Sequence, residues 1–406
     1  MSKVVKGSFE LMKKLNVEAI LKVIKNNGSL SRADIAKLTG LTPASVTNIT
    51  KILIESDYLI ERGIGESSGG RPPIILEINI KARYIIGVSI GVGSIDVVLT
   101  DLGAEIVVKK SIYIDESNVS EEYVFANLVN LINEVVEISE IDRNKIVGIG
   151  VAMHGVVNPT LGISQYAPYY NWENVNVKSI LEEKFEYPVF LDNDVRAIAL
   201  GESLFGAAKR IDNFVAINIS NGIGAGIIID NKPYYGVDYS AGEIGHMVVE
   251  QDGALCNCGN YGCLESVASN RSVERKVIRS IKQGAKTLLT NEVEDIEKIS
   301  IRDISIAASK GDELSITVLK ETARYIGVGI SGLVNILNPK LIVLVGEIFE
   351  QDKIMIKTLS EVVKKRGLKI SSENVKILKS DLGENAAVIG AATLVIQEVF
   401  KGREFM

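Results

Sequence analysis

Apolar residues at Val17, Ile20, Leu21 and Ile24 recur at the three- and four-residue spacing of an amphipathic helix. Ser31 then stands as a cap before a short helix ending near Thr39 and Gly40. Thr42 followed by Pro43 supplies the cap and first position of another. Two helices joined across Gly40 and Leu41 make a helix-turn-helix pattern. The second turns Val46, Ile49, Leu53 and Ile54 inward and leaves Ser45, Thr47, Asn48 and Lys51 on its other face. Residues 58–63 and 73–78, either side of the turn GESSGGRPP, predict a β-hairpin, a wing with Arg71 at its tip.

Beyond Lys81 the pattern changes to α/β. Strands are expected over 84–93, 95–100 and 106–114, a helix over 121–139 and another strand over 146–151. A second, similar series begins at Phe214 and continues through Ile227. That order resembles the ribonuclease H-like fold of actin and sugar kinases, and two such lobes imply a ligand cleft between them.

Length and composition fit this division. The 406 residues suffice for two or three domains, and 46% hydrophobic with 24% charged residues describes an ordinary globular chain. The N-terminal stretch lacks the apolar core of a signal peptide and no apolar run spans a bilayer, so the expectation is a cytoplasmic protein with no membrane partner. Net charge is −6, a balance that disfavours nucleic acid if it were even. It is not even: residues 1–75 hold eleven Lys and Arg against seven Asp and Glu, about +4, so the rest carries about −10. Short hydroxyl, amide and ammonium groups on a basic domain's second helix suit base edges and phosphates in a major groove, and Arg71 suits a minor groove or phosphates.

The densest chemistry lies in GEIGHMVVEQDGALCNCGNYGCLES, residues 242–266. It contains all three cysteines, Cys256, Cys258 and Cys263, and one of the two histidines, His246. Cys-x-Cys-x₄-Cys with a histidine upstream offers four ligands to a tetrahedral, closed, structural Zn²⁺ site. Buried thiols or a disulfide are the other uses of these residues, though Cys-x-Cys is a poor disulfide pair. Glu243 and Glu265 bracket the cluster. A loop fixed by metal would fix them too, as acceptors for the hydroxyls of a polyhydroxylated ligand, while the second nitrogen of His246 could donate to one.

The pattern G-E-x-G-H followed by C-x-C-G-x-x-G-C-L-E-S resembles the signature of the ROK family (repressor, open reading frame, kinase), and other segments match from Tyr84 almost to the C-terminus. The resemblance implies zinc on His246, Cys256, Cys258 and Cys263, and sugar contacts from Glu243, His246 and Glu265. Residues 191–202 resemble the family's N-D-A-N-A-A-A-L-G-E segment, which brings in Asn193 and makes Asp194 the counterpart of the kinase general base. Family kinases carry D-x-G-G-T-K in the first hairpin. Here Ser89, Gly91, Val92, Gly93 and Ser94 stand there, without the acid or the lysine and with a β-branched residue in place of a glycine. Ser220-Asn221 replaces Gly-Thr ahead of the second glycine loop, and Val345-Gly346-Glu347 replaces a glycine pair. No ATP is therefore expected, and Asp194 is read as a vestigial base that still accepts a hydroxyl hydrogen bond. Arg196 replaces the usual asparagine, and His154, standing where the family has proline, is read as a loop or supporting residue. Trp172 could floor a sugar pocket or simply pack in a core.

The expected architecture is thus a winged helix-turn-helix domain (1–80), a first α/β lobe (81–195) with a C-terminal helix (385–406) packed back on it, and a second lobe (196–384) holding the zinc loop and a dimer interface. The expected function is that of a non-enzymatic, sugar-responsive regulator, a repressor of sugar-utilisation genes of the xylose or glucose type. It would bind operator DNA as a homodimer or dimer of dimers and a monosaccharide effector in the kinase-like cleft. The alternative is an active ROK-type sugar kinase with a DNA-binding appendage.

Overall fold

A computed structural model describes residues 9–64, 72–115, 117–349 and 352–402. At the N-terminus a helix, Phe9–Asn27, packs on the helix-turn-helix pair Arg32–Thr39 and Pro43–Glu55. Ser31 and Asp34 close a capping box, Gly40 ends the first helix of the pair at φ 71°, and Thr42 caps the second ahead of Pro43. Strands Leu59–Ile64 and Ile74–Ile78 form the wing, joined by the two-residue strand Leu30–Ser31. Arg71, expected at the wing tip, lies outside the described residues.

Two five-stranded sheets follow. The first runs Val189–Asn193, Ile146–Met153, Tyr84–Ile90, Ser94–Asp101, Ile106–Tyr113; the second runs Lys376–Lys379, Leu341–Val345, Phe214–Ile219, Ile223–Ile229, Lys232–Pro233. In each, three consecutive antiparallel strands are extended by two parallel ones, so the sheets repeat one topology. Parallel strands covered on both faces read as unbroken apolar runs, which is why residues 84–90 and 341–345 are buried throughout.

Between the sheets lie two helices, Asp194–Leu204 and Ala386–Phe400, packed on each other; the former covers strands of the second sheet and the latter strands of the first. The expected lobe boundary after residue 195 falls in the first turn of the former. Their closeness is written in glycines: a methyl on Gly390 would sit 2.5 Å from the Ala197 carbonyl, and one on Gly150 would sit 1.9 Å from that of Ala391. Any side chain there would force the layers apart.

The winged domain is not a loose tether. Val17, Ile20, Leu21 and Ile24 of its first helix share one apolar cluster with Ile389, Val395, Ile396 and Val399 of the C-terminal helix. Lys25 Nζ lies 4.4 Å from the ring centre of Phe400 and 5.9 Å from that of Phe205, and Arg210 donates to the Asn26 carbonyl at 3.3 Å.

Candidate ligand cleft and metal centre

Strand Val189–Asn193 runs straight into helix Asp194–Leu204. Asn193 Oδ1 accepts from the N–H groups of Val195 and Arg196 at 3.1 and 3.2 Å, and its Nδ2 donates to the Gly155 carbonyl at 3.1 Å. This residue therefore fixes the helix start, with one amide hydrogen left over for a ligand. Asp194, the next residue, is half-buried; burial raises its carboxyl above the ordinary range, opposed by the charge of His154, the Val195 N–H and the charge of Arg196.

From the second lobe come Glu243, His246 and Glu265. Glu265 Oε2 accepts from the Ile223 N–H at 3.0 Å, which ties it to the second glycine loop. The Glu243 carboxyl is raised by burial, pulled down by His246 and pushed up by Asp194 and Glu265. Glu243 thus senses acceptors from both sides, Asp194 at the head of its helix and Glu265 at the second glycine loop. Such acceptors suit hydroxyl donors.

Beside it, one ligand atom from each of His246, Cys256, Cys258 and Cys263 lies within 4.8 Å of the others. The imidazole Nδ1 is 3.7 Å from Cys256 Sγ, and Cys258 Sγ is 3.7 Å from Cys263 Sγ. A disulfide at about 2.0 Å is excluded for these free thiols. The spacing matches the edge of a tetrahedron with about 2.3 Å Zn–S bonds, roughly 3.8 Å. His246 turns its other nitrogen, Nε2, towards Glu243 at 3.8 Å, so the His/Cys cluster and Glu243 share this ring.

On the opposite wall, the hairpin at Ser89–Ser94 is overlaid by a pair of tyrosines. Tyr170 donates its hydroxyl to the Gly91 carbonyl at 2.8 Å, and the Tyr169 hydroxyl sits 3.1 Å from where a side chain on Gly93 would begin. These rings come from the turn between strands Ile163–Ala167 and Trp172–Val175, whose periodicity gave no hint that they reach the hairpin. Trp172 itself belongs to the first-lobe core: it stacks on Phe125 and Tyr170 and donates to the Val119 carbonyl at 3.1 Å.

Sequence reasoning also missed the reach of Arg196. It is buried, donates to Asp192 Oδ1 at 2.7 Å, to the Val157 carbonyl at 3.1 Å and to the Tyr239 carbonyl at 2.8 Å, and stacks on Tyr235. It thereby joins the first lobe to the loop after the second lobe's edge strand. The signal was its departure from the family's asparagine.

Residues 85–398 match the ROK family as a whole. The chain belongs to the ROK family. Residues 16–60 of this ROK protein match a winged helix-turn-helix DNA-binding domain. It is 33% identical to the xylose repressor of Caldicellulosiruptor bescii over 98% of this chain and 100% of that one. It is 32% identical to the N-acetylglucosamine repressor of Escherichia coli O6:H1 over 98% of this chain and 96% of that one. A crystal structure of a ROK family transcriptional regulator, a homologue of the E. coli MLC protein, superposes with a TM-score of 0.84 at 32% identity, covering 96% of this chain and 97% of that one.

In the ROK chain's second reader helix, Thr47, Asn48 and Lys51 are exposed while Val46, Ile49 and Leu53 are buried. Ser45 is half-buried and its hydroxyl lies 2.9 Å from that of Thr42, so it spends part of its bonding capacity on the helix cap. Arg32 braces this helix, donating to Thr50 at 3.1 Å and pairing with Glu61 of the wing at 3.2 Å. No helix among the described residues is long and apolar enough to cross a membrane.

Proposed function

We propose that this ROK protein is a sugar-responsive transcriptional repressor that binds operator DNA through the winged helix and a monosaccharide beside Asp194, without phosphorylating it. The observation that carries this reading is the pairing of an acceptor-rich set (Asp194, Glu243, Glu265) with a hairpin, Ser89–Ser94, that holds neither acid nor lysine, has its Gly91 N–H bonded to the Ser94 carbonyl and takes the Tyr170 hydroxyl on its Gly91 carbonyl. A triphosphate needs open N–H groups and a cation there; a sugar needs neither.

Asp194, Glu243, Glu265 and the spare ring nitrogen of His246 take sugar hydroxyls, with Asn193 supporting. Zn²⁺ on His246, Cys256, Cys258 and Cys263 supplies structure, fixing the loop that presents Glu243 and Glu265, and a closed four-ligand site leaves no position for a reacting water. Thr47, Asn48 and Lys51, with Ser45 and Arg71, face DNA, and two copies read paired half-sites in the cytoplasm.

Helix Asp194–Leu204 links the two functions. Its 11 residues span roughly 16 Å, with Asp194 at one end and, just past the other, Phe205 and Arg210 against helix Phe9–Asn27 of the winged domain. A sugar that prefers one lobe arrangement thus shifts the seat of the winged domain, and half-sites one turn apart tolerate little such shift.

The test is operator binding by fluorescence anisotropy at fixed salt with and without D-xylose, D-glucose and N-acetyl-D-glucosamine, beside an assay for ADP formation with the same sugars. The expected result is a sugar-dependent change in operator affinity with no ADP formed; sugar-dependent ADP release refutes it in favour of a kinase with a reader attached.

A further inference from the structure

His154 follows the central strand Ile146–Met153 of the first sheet and is only 9% exposed. Its Nδ1 lies 3.3 Å from the Ile90 carbonyl. A carbonyl only accepts, so Nδ1 carries the proton and Nε2 presents a lone pair. That Nε2 is buried and has no hydrogen-bond partner among the described residues. Buried polar atoms of this kind are ordinarily satisfied, so an unmet acceptor beside Asp194 points to a ligand.

The surroundings say which kind. Tyr170 lies 5.2 Å and Tyr169 6.2 Å from the imidazole, ring centre to ring centre, closing the apolar side. On the polar side stands Asp194, whose charge acts directly on the ring and is answered by it. Burial holds the imidazole below its usual range, which keeps Nε2 an acceptor near neutral pH. An imidazole nitrogen and a carboxyl group, each sensing the other, thus stand beside two tyrosine rings. A hydroxyl on each of two ring carbons satisfies both at once.

We propose that His154 is the specificity-determining residue of the sugar site, its Nε2 accepting a hydrogen bond from an effector hydroxyl that Asp194 does not hold. This rests on the sugar-sensor reading above and deepens it. Xylose and N-acetylglucosamine repressors resemble this chain about equally, at 33% and 32% identity, so overall likeness does not choose the sugar. An imidazole in a position where proline, with no polar group, stands elsewhere in the family does offer a choice.

The experiment is isothermal titration calorimetry on the full chain with D-xylose, D-glucose, N-acetyl-D-glucosamine and the monodeoxy analogues of whichever sugar binds. Wild type is compared with His154→Gln and His154→Phe, each checked for folding by circular dichroism. One lost hydrogen bond to a buried acceptor predicts about tenfold or greater weakening in His154→Phe. One deoxy analogue should bind wild type about tenfold worse than the parent sugar yet bind His154→Phe about as well as the parent does. His154→Gln, which retains an acceptor, should recover part of the loss and reorder the sugars. A merely structural histidine would weaken parent and deoxy sugars alike, and that result, or affinities within twofold of wild type for every sugar in both variants, overturns the proposal while leaving the sensor reading intact. Absence of binding by wild type to all three sugars overturns both.

Discussion

Replacing Arg196 by Met tests whether the lobes are held together by one guanidinium. Arg196 and Asp192 are 2% and 1% exposed, and their 2.7 Å bond is supplemented by the Arg196 bonds to Val157 and Tyr239 and by a Tyr235 hydroxyl on Asp192 Oδ2 at 3.2 Å. Burial pushes the Asp192 carboxyl up and Arg196 pulls it back. Removing the guanidinium leaves a buried carboxylate with no opposing charge, held only by the Tyr235 hydroxyl and the Asn193 N–H, a change that costs about 3–5 kcal/mol. For a cooperative unit of lobe size this is a fall in Tm of roughly 6–20 °C. Adding Asp192→Asn removes the stranded charge and leaves only unmet hydrogen bonds, about 1–3 kcal/mol, so the double variant should melt above the single one. The sign with pH follows: in Arg196→Met the folded chain keeps a proton on Asp192 at pH values where the unfolded chain has lost it. The defect therefore grows as pH rises above the unfolded carboxylate's value of about 3.9 and shrinks on acidification. Scanning calorimetry across that range decides. If single and double variants melt within about 1 °C of each other, or if the defect is flat with pH, the charge is not what the clamp depends on.

Other predictions concern the metal, the reader and their junction. Metal analysis should find one zinc per chain, and Cys258→Ser should lose it and weaken sugar binding about tenfold, the equivalent of one hydrogen bond as Glu243 and Glu265 come loose. Lys51→Ala, exposed on the reader helix, should weaken all DNA sequences alike and lower the slope of log affinity against log salt by about 1, whereas Asn48→Ala should relax preference at one base pair. Lys25, lowered to about 8 by burial, releases a proton on folding between pH 8 and its ordinary 10.5, so stability should rise across that window. Lys25→Met should abolish that rise and, at pH 7, melt no lower than wild type.

Much of the fold was legible because its signals are local. The caps at Ser31 and Thr42 and the αL glycine at Gly40 delimit the helix-turn-helix pair, and the β-branched runs mark both sheets. The meeting of His246 with the three cysteines was legible for a related reason: the thiols lie within eight residues, so loop geometry alone brings them together. What could not be read depends on contacts between distant segments. Tyr170 meets Gly91 across 79 positions and Arg196 meets Tyr239 across 43, and no periodicity encodes such meetings. Asn193 shows the converse, since a motif names it for ligand binding while the helix start already occupies its oxygen.

The helices packed between the two sheets link the cleft at Asp194 to the winged domain. In an enzyme, closure of two lobes is used to bring phosphate and acceptor together. Here the same layers carry a load at their far end: Val17, Ile20, Leu21 and Ile24 are in one apolar cluster with the C-terminal helix, which in turn is flush against the helix that starts at Asp194. Because Gly390 and Gly150 leave no slack between these layers, a lobe rotation cannot be absorbed by side-chain adjustment and must pass to the winged domain. Widening the contact should therefore break the coupling before it breaks either site. Gly390→Ala puts a methyl against the Ala197 carbonyl, and is expected to separate sugar binding from the change in operator affinity more severely than any substitution on the exposed reader surface.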